Sequence, residues 1–192
     1  MPQTTALPIL SFTSLHQWKA WLAKHHATVD GIWVKLYKKG AGTTSVTYAE
    51  ALDAALCYGW IDSQKRAFDD QAWLQRFTPR RAKSGWSKVN IQHAERLLAA
   101  GQIQAAGLEE IAAAKADGRW KAAYDSAKTM TFPEEFLAAL RKDTQARKFF
   151  ETLNRANQYA IAYRLQTAKT ETTRTRRLEI ILEKLRKGEK WH

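Results

Sequence analysis

Two segments of the chain concentrate side chains able to do chemistry: ALCYGWIDSQ at residues 55–64 and RFTPRRAKSGWSKVN at residues 76–90. The first sets Trp60 beside Asp62. The second carries Arg76, Arg80, Arg81, Lys83 and Lys88 with no acidic residue among them, together with Phe77, Thr78, Ser84, Trp86, Ser87 and Asn90. Cations interleaved with rings suit nucleic acid, because the cations hold phosphates while the rings stack on bases. Rings combined with a few oriented polar groups equally suit a small-ligand pocket, here one for an anion. In that pocket Asp62 pairs with Arg76 or Arg80 through a bidentate contact and leaves the other arginine for the ligand. A buried polar network that only joins sheet to helix is an equally open alternative. The candidate ligand-binding set is therefore Trp60, Asp62, Arg76, Thr78, Arg80, Arg81, Ser84, Trp86, Ser87 and Asn90, and within it Ser87 has a sufficient structural role as a helix N-cap.

Other chemistries find less support. His16, His25, His26, His93 and His192 form no HExxH and no pair of ligands one helical turn apart, so neither a metal site nor a cofactor is expected. SGWS at 84–87 is not the GxSxG elbow, and Cys57, between Leu56 and Tyr58, reads as a buried small hydrophobe. KKGAGTT at 38–44 lacks both phosphate-loop patterns and reads as a flexible connection. Asp62 is the only acidic residue in either segment, which argues against paired-carboxylate hydrolysis but leaves single-residue acid or base catalysis as an alternative. The basic tail from Arg174 to Lys190 is interleaved with Glu179 and Glu183, as on a solvated helix laced with ion pairs.

The elements that must position these residues follow from capping and periodicity. Ser14 with Gln17 opens a helix over 15–25; Ile32, Val34 and Leu36 share the buried face of a strand over 32–37; Thr47 with Glu50 opens a second helix that Gly59 ends. Short strands are expected over 60–63 and 73–78, and no strand after residue 80. Helices then present Ile91, Ala94 and Leu98, and Leu108, Ile111, Ala112 and Lys115. Later helices begin at Pro133, after Asp143, after Asn154 and at Thr170, the last with Leu178, Ile181, Leu182 and Leu185 inward. The expected fold class is α+β, a small antiparallel sheet packed by helices and followed by an all-helical subdomain. The boundary is placed between residues 118 and 132, giving domains 1–125 and 126–192.

The chain has 192 residues, 45% of them hydrophobic, which suffices for a core. Lys and Arg number 31 against 19 Asp and Glu, and the resulting charge of +12 favours acidic partners, nucleic acid included. No apolar run approaches membrane-spanning length. The opening MPQTTALPILSF lacks a signal-peptide pattern, and with a single cysteine this points to the cytoplasm.

ALCYGWIDSQ, RFTPRRAKSGWSKVN, AAGLEEIAAAKADGRW at 105–120, PEEFLAAL at 133–140 and the tail AKTETTRTRRLEIILEKLRKGEK together resemble the YdeI/OmpD-associated (OmdA, bacteriocin-protection) family. The resemblance implies a role in envelope stress and in resistance to cationic antimicrobial peptides or bacteriocins. It supplies no catalytic residue and no cofactor. The family's periplasmic description is set against an N-terminus without a signal peptide. The expectation is thus an uncharacterised stress or resistance protein, non-enzymatic, that binds a small anionic ligand or an acidic protein partner. Nucleic-acid binding and an enzyme using Asp62 are the alternatives. Since a basic protein repels cationic peptides, any protection should be indirect.

Overall fold

The structure, a computed structural model, describes residues 6–191; the first five residues of the opening segment and His192 lie outside the described residues. The chain forms two compact units, one of Met1–Ser84 with Gln92–Gly118 and one of Gly85–Ile91 with Arg119–His192, so neither is a single stretch of sequence. The fold is α+β, with four strands and eight helices among the described residues.

In the first unit come β1 (Ile9–Ser11), α1 (Leu15–His25), β2 (Ile32–Tyr37), α2 (Tyr48–Cys57), β3 (Trp60–Ala67), β4 (Ala72–Pro79), most of α3 (Lys88–Ala99), and α4 (Ala105–Ala116). Ser14 Oγ accepts the Gln17 amide at the start of α1, while Gln17 Oε1 accepts from the Thr13 amide, one residue before the expected capping-box partner. At Thr47 and Glu50 the capping box is complete in both directions. The sheet order is β1-β2-β4-β3. β4 runs antiparallel to both neighbours, and the three-residue edge strand β1 pairs parallel to β2, Leu10 opposite Val34, which makes the sheet mixed. Three residues give too little alternation to be read from sequence.

Alternation along β2 is complete: Ile32, Val34 and Leu36 are buried, and Trp33, Lys35 and Tyr37 are half-buried. The buried face packs with Trp18 and Leu22 of α1, Ala51, Ala54 and Ala55 of α2, Trp60 and Phe77. Each large side chain among them contributes about 1.5–3 kcal/mol by leaving water. Cys57 is buried in α2, and burial pushes its thiol pKa up, which keeps it protonated.

Two helix faces differ from expectation. α3 buries Ala94 and Leu97 instead of Leu98, and it is tied to α2 by His93 Nδ1 and Arg96 Nη2, which donate to the two oxygens of Asp53 at 2.7 and 2.6 Å. α4 buries Gly107, Ile111 and Ala114 and leaves Leu108 46% exposed, a rotation of its face by about one residue from the stripe Leu108, Ile111, Ala112 and Lys115. The cause is backbone proximity: a Cβ on Gly107 would lie 2.5 Å from the Cys57 carbonyl oxygen and 2.9 Å from that of Leu56. Only a glycine lets α4 lie against the end of α2, and that contact outweighs burial of Leu108.

In the second unit the helices are α5 (Glu134–Lys142), α6 (Thr144–Thr152), α7 (Arg155–Gln166) and α8 (Glu171–Arg186). Asp143, Asn154 and Thr170 cap α6, α7 and α8, and Pro133 is the N-cap residue of α5, one position before the expected first helical one. Phe136, Leu140, Ala146, Leu153, Ile161, Leu165, Ile181 and Leu185 form the core. Arg174 reaches Glu135 of α5 at 3.8 Å, and Lys187 pairs with Glu183 one turn away at 2.6 Å. Asp125 gathers much of the rest. Its carboxylate accepts from Lys88 Nζ at 2.7 Å, from the Thr131 amide and hydroxyl, and from Gln166 Nε2. Burial raises the carboxyl's pKa, but the hydrogen bonds from Lys88, Thr131 and Gln166 outweigh it and bring it to about 2.

The Gly107 contact is testable by one methyl group. Gly107→Ala should cost about 1–3 kcal/mol by overpacking and lower the thermal midpoint by several degrees; an unchanged midpoint would contradict the close approach.

Candidate functional site

The segment 76–90 is divided between the two units after Ser84. In the first unit β3 and β4 place four of the expected residues by their pairing: Trp60 opposite Pro79, Ile61 opposite Thr78, Asp62 opposite Phe77, and Arg76 opposite Trp33 of β2. Trp60 and Asp62 therefore share the face that carries Phe77, while Arg76 and Thr78 lie on the other. Thr78 has a packing role, since a Cβ on Gly31, whose φ is 145°, would lie 2.7 Å from the Thr78 methyl group. Arg76 Nε is buried without a hydrogen-bond partner among the described residues. Arg81 is exposed, and Ser84 is half-buried, its amide closing a turn onto the Arg81 carbonyl at 2.8 Å.

Asp62 receives its hydrogen bond from a residue outside the expected set. Tyr48 Oη, in the first turn of α2, donates to Asp62 Oδ2 at 2.8 Å. Burial pushes the Asp62 carboxyl up from its usual 3.8, against the Tyr48 hydrogen bond and the positive charge of Arg80, which both pull it down. Burial and the neighbouring Asp62 likewise push the Tyr48 hydroxyl up, so it keeps its proton.

Trp60 and Arg80 do meet at one cavity of about 420 Å³ in the first unit. Four stretches line it: His26 and Ala27 after α1, Tyr58 to Trp60 at the α2–β3 corner, Pro79 and Arg80 at the exit of β4, and the start of α4. Gly59 turns the corner at φ 72°, and its carbonyl accepts the Arg80 amide at 2.9 Å, which fixes where the Arg80 side chain departs. Trp60 is 1% exposed and donates its indole N–H to the His26 carbonyl at 3.0 Å. His26 Nδ1 lies 2.9 Å from the Leu22 carbonyl, so it carries the proton and leaves Nε2 as the ring's other polar atom.

The α4 wall supplies what the sequence reading missed. Ala105 and Ala106 open the helix and line the cavity, and Gln104 makes no side-chain cap, so the positive end of the helix dipole lies beside it. Glu109 and Glu110 line it as well, and Glu110 Oε2 is buried with no hydrogen-bond partner among the described residues. The cavity thus holds both signs of charge. Asp62, Arg76 and Thr78 are not among its lining residues. A glycine and two alanines at the head of AAGLEEIAAAKA were the available signal for a helix start pressed against another backbone.

Trp86, Ser87 and Asn90 belong to the second unit. Trp86 is 2% exposed with its ring 4.9 Å from that of Trp120, and its carbonyl accepts the Tyr124 amide at 3.0 Å. Ser87 Oγ accepts the Asn90 amide at 3.1 Å and caps α3 as expected.

Residues 10–110, more than half of the chain, match the model of a domain of unknown function, DUF8412. The chain belongs to the DUF8412 family. That match contains the whole cavity and the GWID segment. Residues 129–188 match the model described as Bacteriocin-protection, YdeI or OmpD-Associated, the family that the motifs resemble, so its match falls on the helical tail and not on the GWID segment. No curated protein and no solved structure matches the chain. Among the described residues no helix is long and apolar enough to cross a membrane.

The raised pKa of Asp62 has a signed consequence. A carboxyl whose folded pKa lies above its unfolded value is protonated more in the folded state within that window, so its ionisation costs stability as pH rises through it. Asn keeps the acceptor for Tyr48 without the buried charge. Asp62→Asn should therefore stabilise the protein at pH 7, with the gain vanishing below pH 3.8. Denaturant midpoints of both proteins at the two pH values check this, and an equal change at both would contradict it.

Proposed function

We propose that this DUF8412 protein is a non-enzymatic binding protein whose first-unit cavity takes a small ligand carrying both an anionic group and a cationic donor, as an α-amino acid or a peptide terminus does. One observation carries the reading: Arg80 and the uncapped first turn of α4 line the same cavity as the carboxylate-bearing Glu109 and Glu110. The ligand's carboxylate meets the guanidinium and the helix N–H groups, as oriented donors hold anions elsewhere. Its ammonium group pairs with the carboxylates of Glu109 and Glu110. A bare anion would face the carboxylates of Glu109 and Glu110, which narrows the expected small anionic ligand to one with a balancing positive group. Tyr58 and Trp60 give the apolar contact that a side chain needs.

The alternatives have less behind them. Rings on the outer face of the sheet already carry the protein's own cations, Lys35 over Tyr37 and Phe68 and Arg66 over Trp33, which weighs against a stacking platform for nucleic acid. Asp62 does not line the cavity, which weighs against acid or base catalysis there. The description of the tail's family brings bacteriocin protection into the proposal, in an indirect form: a +12 chain repels cationic peptides, so protection runs through the bound ligand.

A panel of free L-amino acids, with acetate and methylammonium as its two halves, tests the reading by thermal shift. At least one amino acid should raise the midpoint at millimolar concentration, since ligand at about 100 times Kd adds about 2.7 kcal/mol. Neither half alone should match it, and Arg80→Gln and Glu110→Gln should each abolish the shift. No shift from any member, or a shift that survives Glu110→Gln, would overturn it.

A further inference from the structure

The second unit holds a cavity of about 370 Å³ with a different electrostatic character. Its α7 wall is one helical stripe: Ala156, Tyr159, Ala160, Tyr163, Arg164 and Thr167 recur at i, i+3, i+4, i+7, i+8 and i+11. This stripe is not the core stripe, because the residues that α7 buries are Asn157, Ile161, Ala162 and Leu165. Two alanines leave a floor, and two tyrosines with Trp191 give flat walls.

These walls are held in place. Tyr159 Oη donates to the Asp125 carbonyl at 3.1 Å, the Tyr163 ring meets Tyr124 edge-on at 4.8 Å, and the Trp191 amide donates to Asn157 Oδ1 at 2.9 Å. The two cations are held as well. Arg177 of α8 donates through Nη1 to the Arg164 carbonyl at 2.6 Å and to Thr167 Oγ1 at 3.2 Å, and the Arg164 guanidinium stands 4.4 Å over the Trp191 ring. Lys184 Nζ lies 5.3 Å over that ring and is paired with Glu189 at 2.9 Å. Among the described residues no carboxylate side chain lines the cavity. Fixed guanidinium groups beside fixed aromatic walls, on a surface of small residues, lose little entropy when a flat anion enters.

We infer that this cavity binds a small planar organic anion, its ring against Tyr159 and Tyr163 and its carboxylate or phosphate on Arg164 and Arg177. Nothing in the amino-acid reading of the first-unit cavity is required for it, and the two stand or fall separately.

Isothermal titration of the full chain with benzoate and with adenosine monophosphate distinguishes the carboxylate from the phosphate source; inorganic phosphate, benzamide and adenosine are the controls. At least one organic anion should bind at least tenfold tighter than its uncharged counterpart and than inorganic phosphate. Ala160→Phe, which fills the floor, and Arg164→Gln, at an exposed position, should each weaken binding at least tenfold, while Glu110→Gln should leave it unchanged. Absence of binding by both organic anions, equal binding of the uncharged counterparts, or full binding by Ala160→Phe would overturn the inference.

Discussion

The first-unit cavity depends on a backbone contact. α4 can bring its uncapped first turn beside Trp60 and Arg80 only because Gly107 carries no Cβ where the Leu56 and Cys57 carbonyls stand. Gly59 repeats the constraint from the other side: its φ is 72°, and a Cβ there would meet the Ala106 carbonyl oxygen at 3.0 Å. The Gln104 amide, which donates to the Cys57 carbonyl at 2.9 Å, pins the helix start at this corner. Helix dipole, Arg80 and Glu110 are brought to one cavity by that corner, so its geometry precedes its chemistry.

Similar residue types serve unlike ends in the two units. Arginines and rings line both cavities, but Glu109 and Glu110 stand in the first, and among the described residues no carboxylate side chain lines the second. Buried carboxylates are also handled differently. Asp125 collects enough donors to stay ionised, at a pKa of about 2, and so knits its unit together, whereas Asp62 has the Tyr48 hydroxyl, its own backbone amide and the charge of Arg80, and burial still wins. A reading based on charge alone would treat these as equivalent.

Signals confined to one turn of the chain are legible in the sequence. The Ser14, Thr47, Asp143, Asn154 and Thr170 caps sit where expected, because capping involves residues within one turn. β2 alternates as its composition requires. What depends on distant partners was less legible. Tyr48 lies 14 residues from Asp62 and outside both motifs, so nothing local announces their hydrogen bond. Glu110 lies on a helix whose face is set by the approach of Gly107 to the α2 carbonyls, a contact whose partner no local signal announces. Of the opening segments, Trp60 and Arg80 reach the cavity, while Trp86 is a buried side chain against Trp120 and Ser87 a cap.

Amide nuclear magnetic resonance during titration of the full chain with the amino acid that most raises its melting temperature tests the central claim most directly. The account predicts saturable shifts confined to Gly59, Arg80, Ala105, Ala106 and the Trp60 indole N–H, lost in Glu110→Gln. Shifts centred elsewhere, with these groups unmoved at saturation, would contradict it.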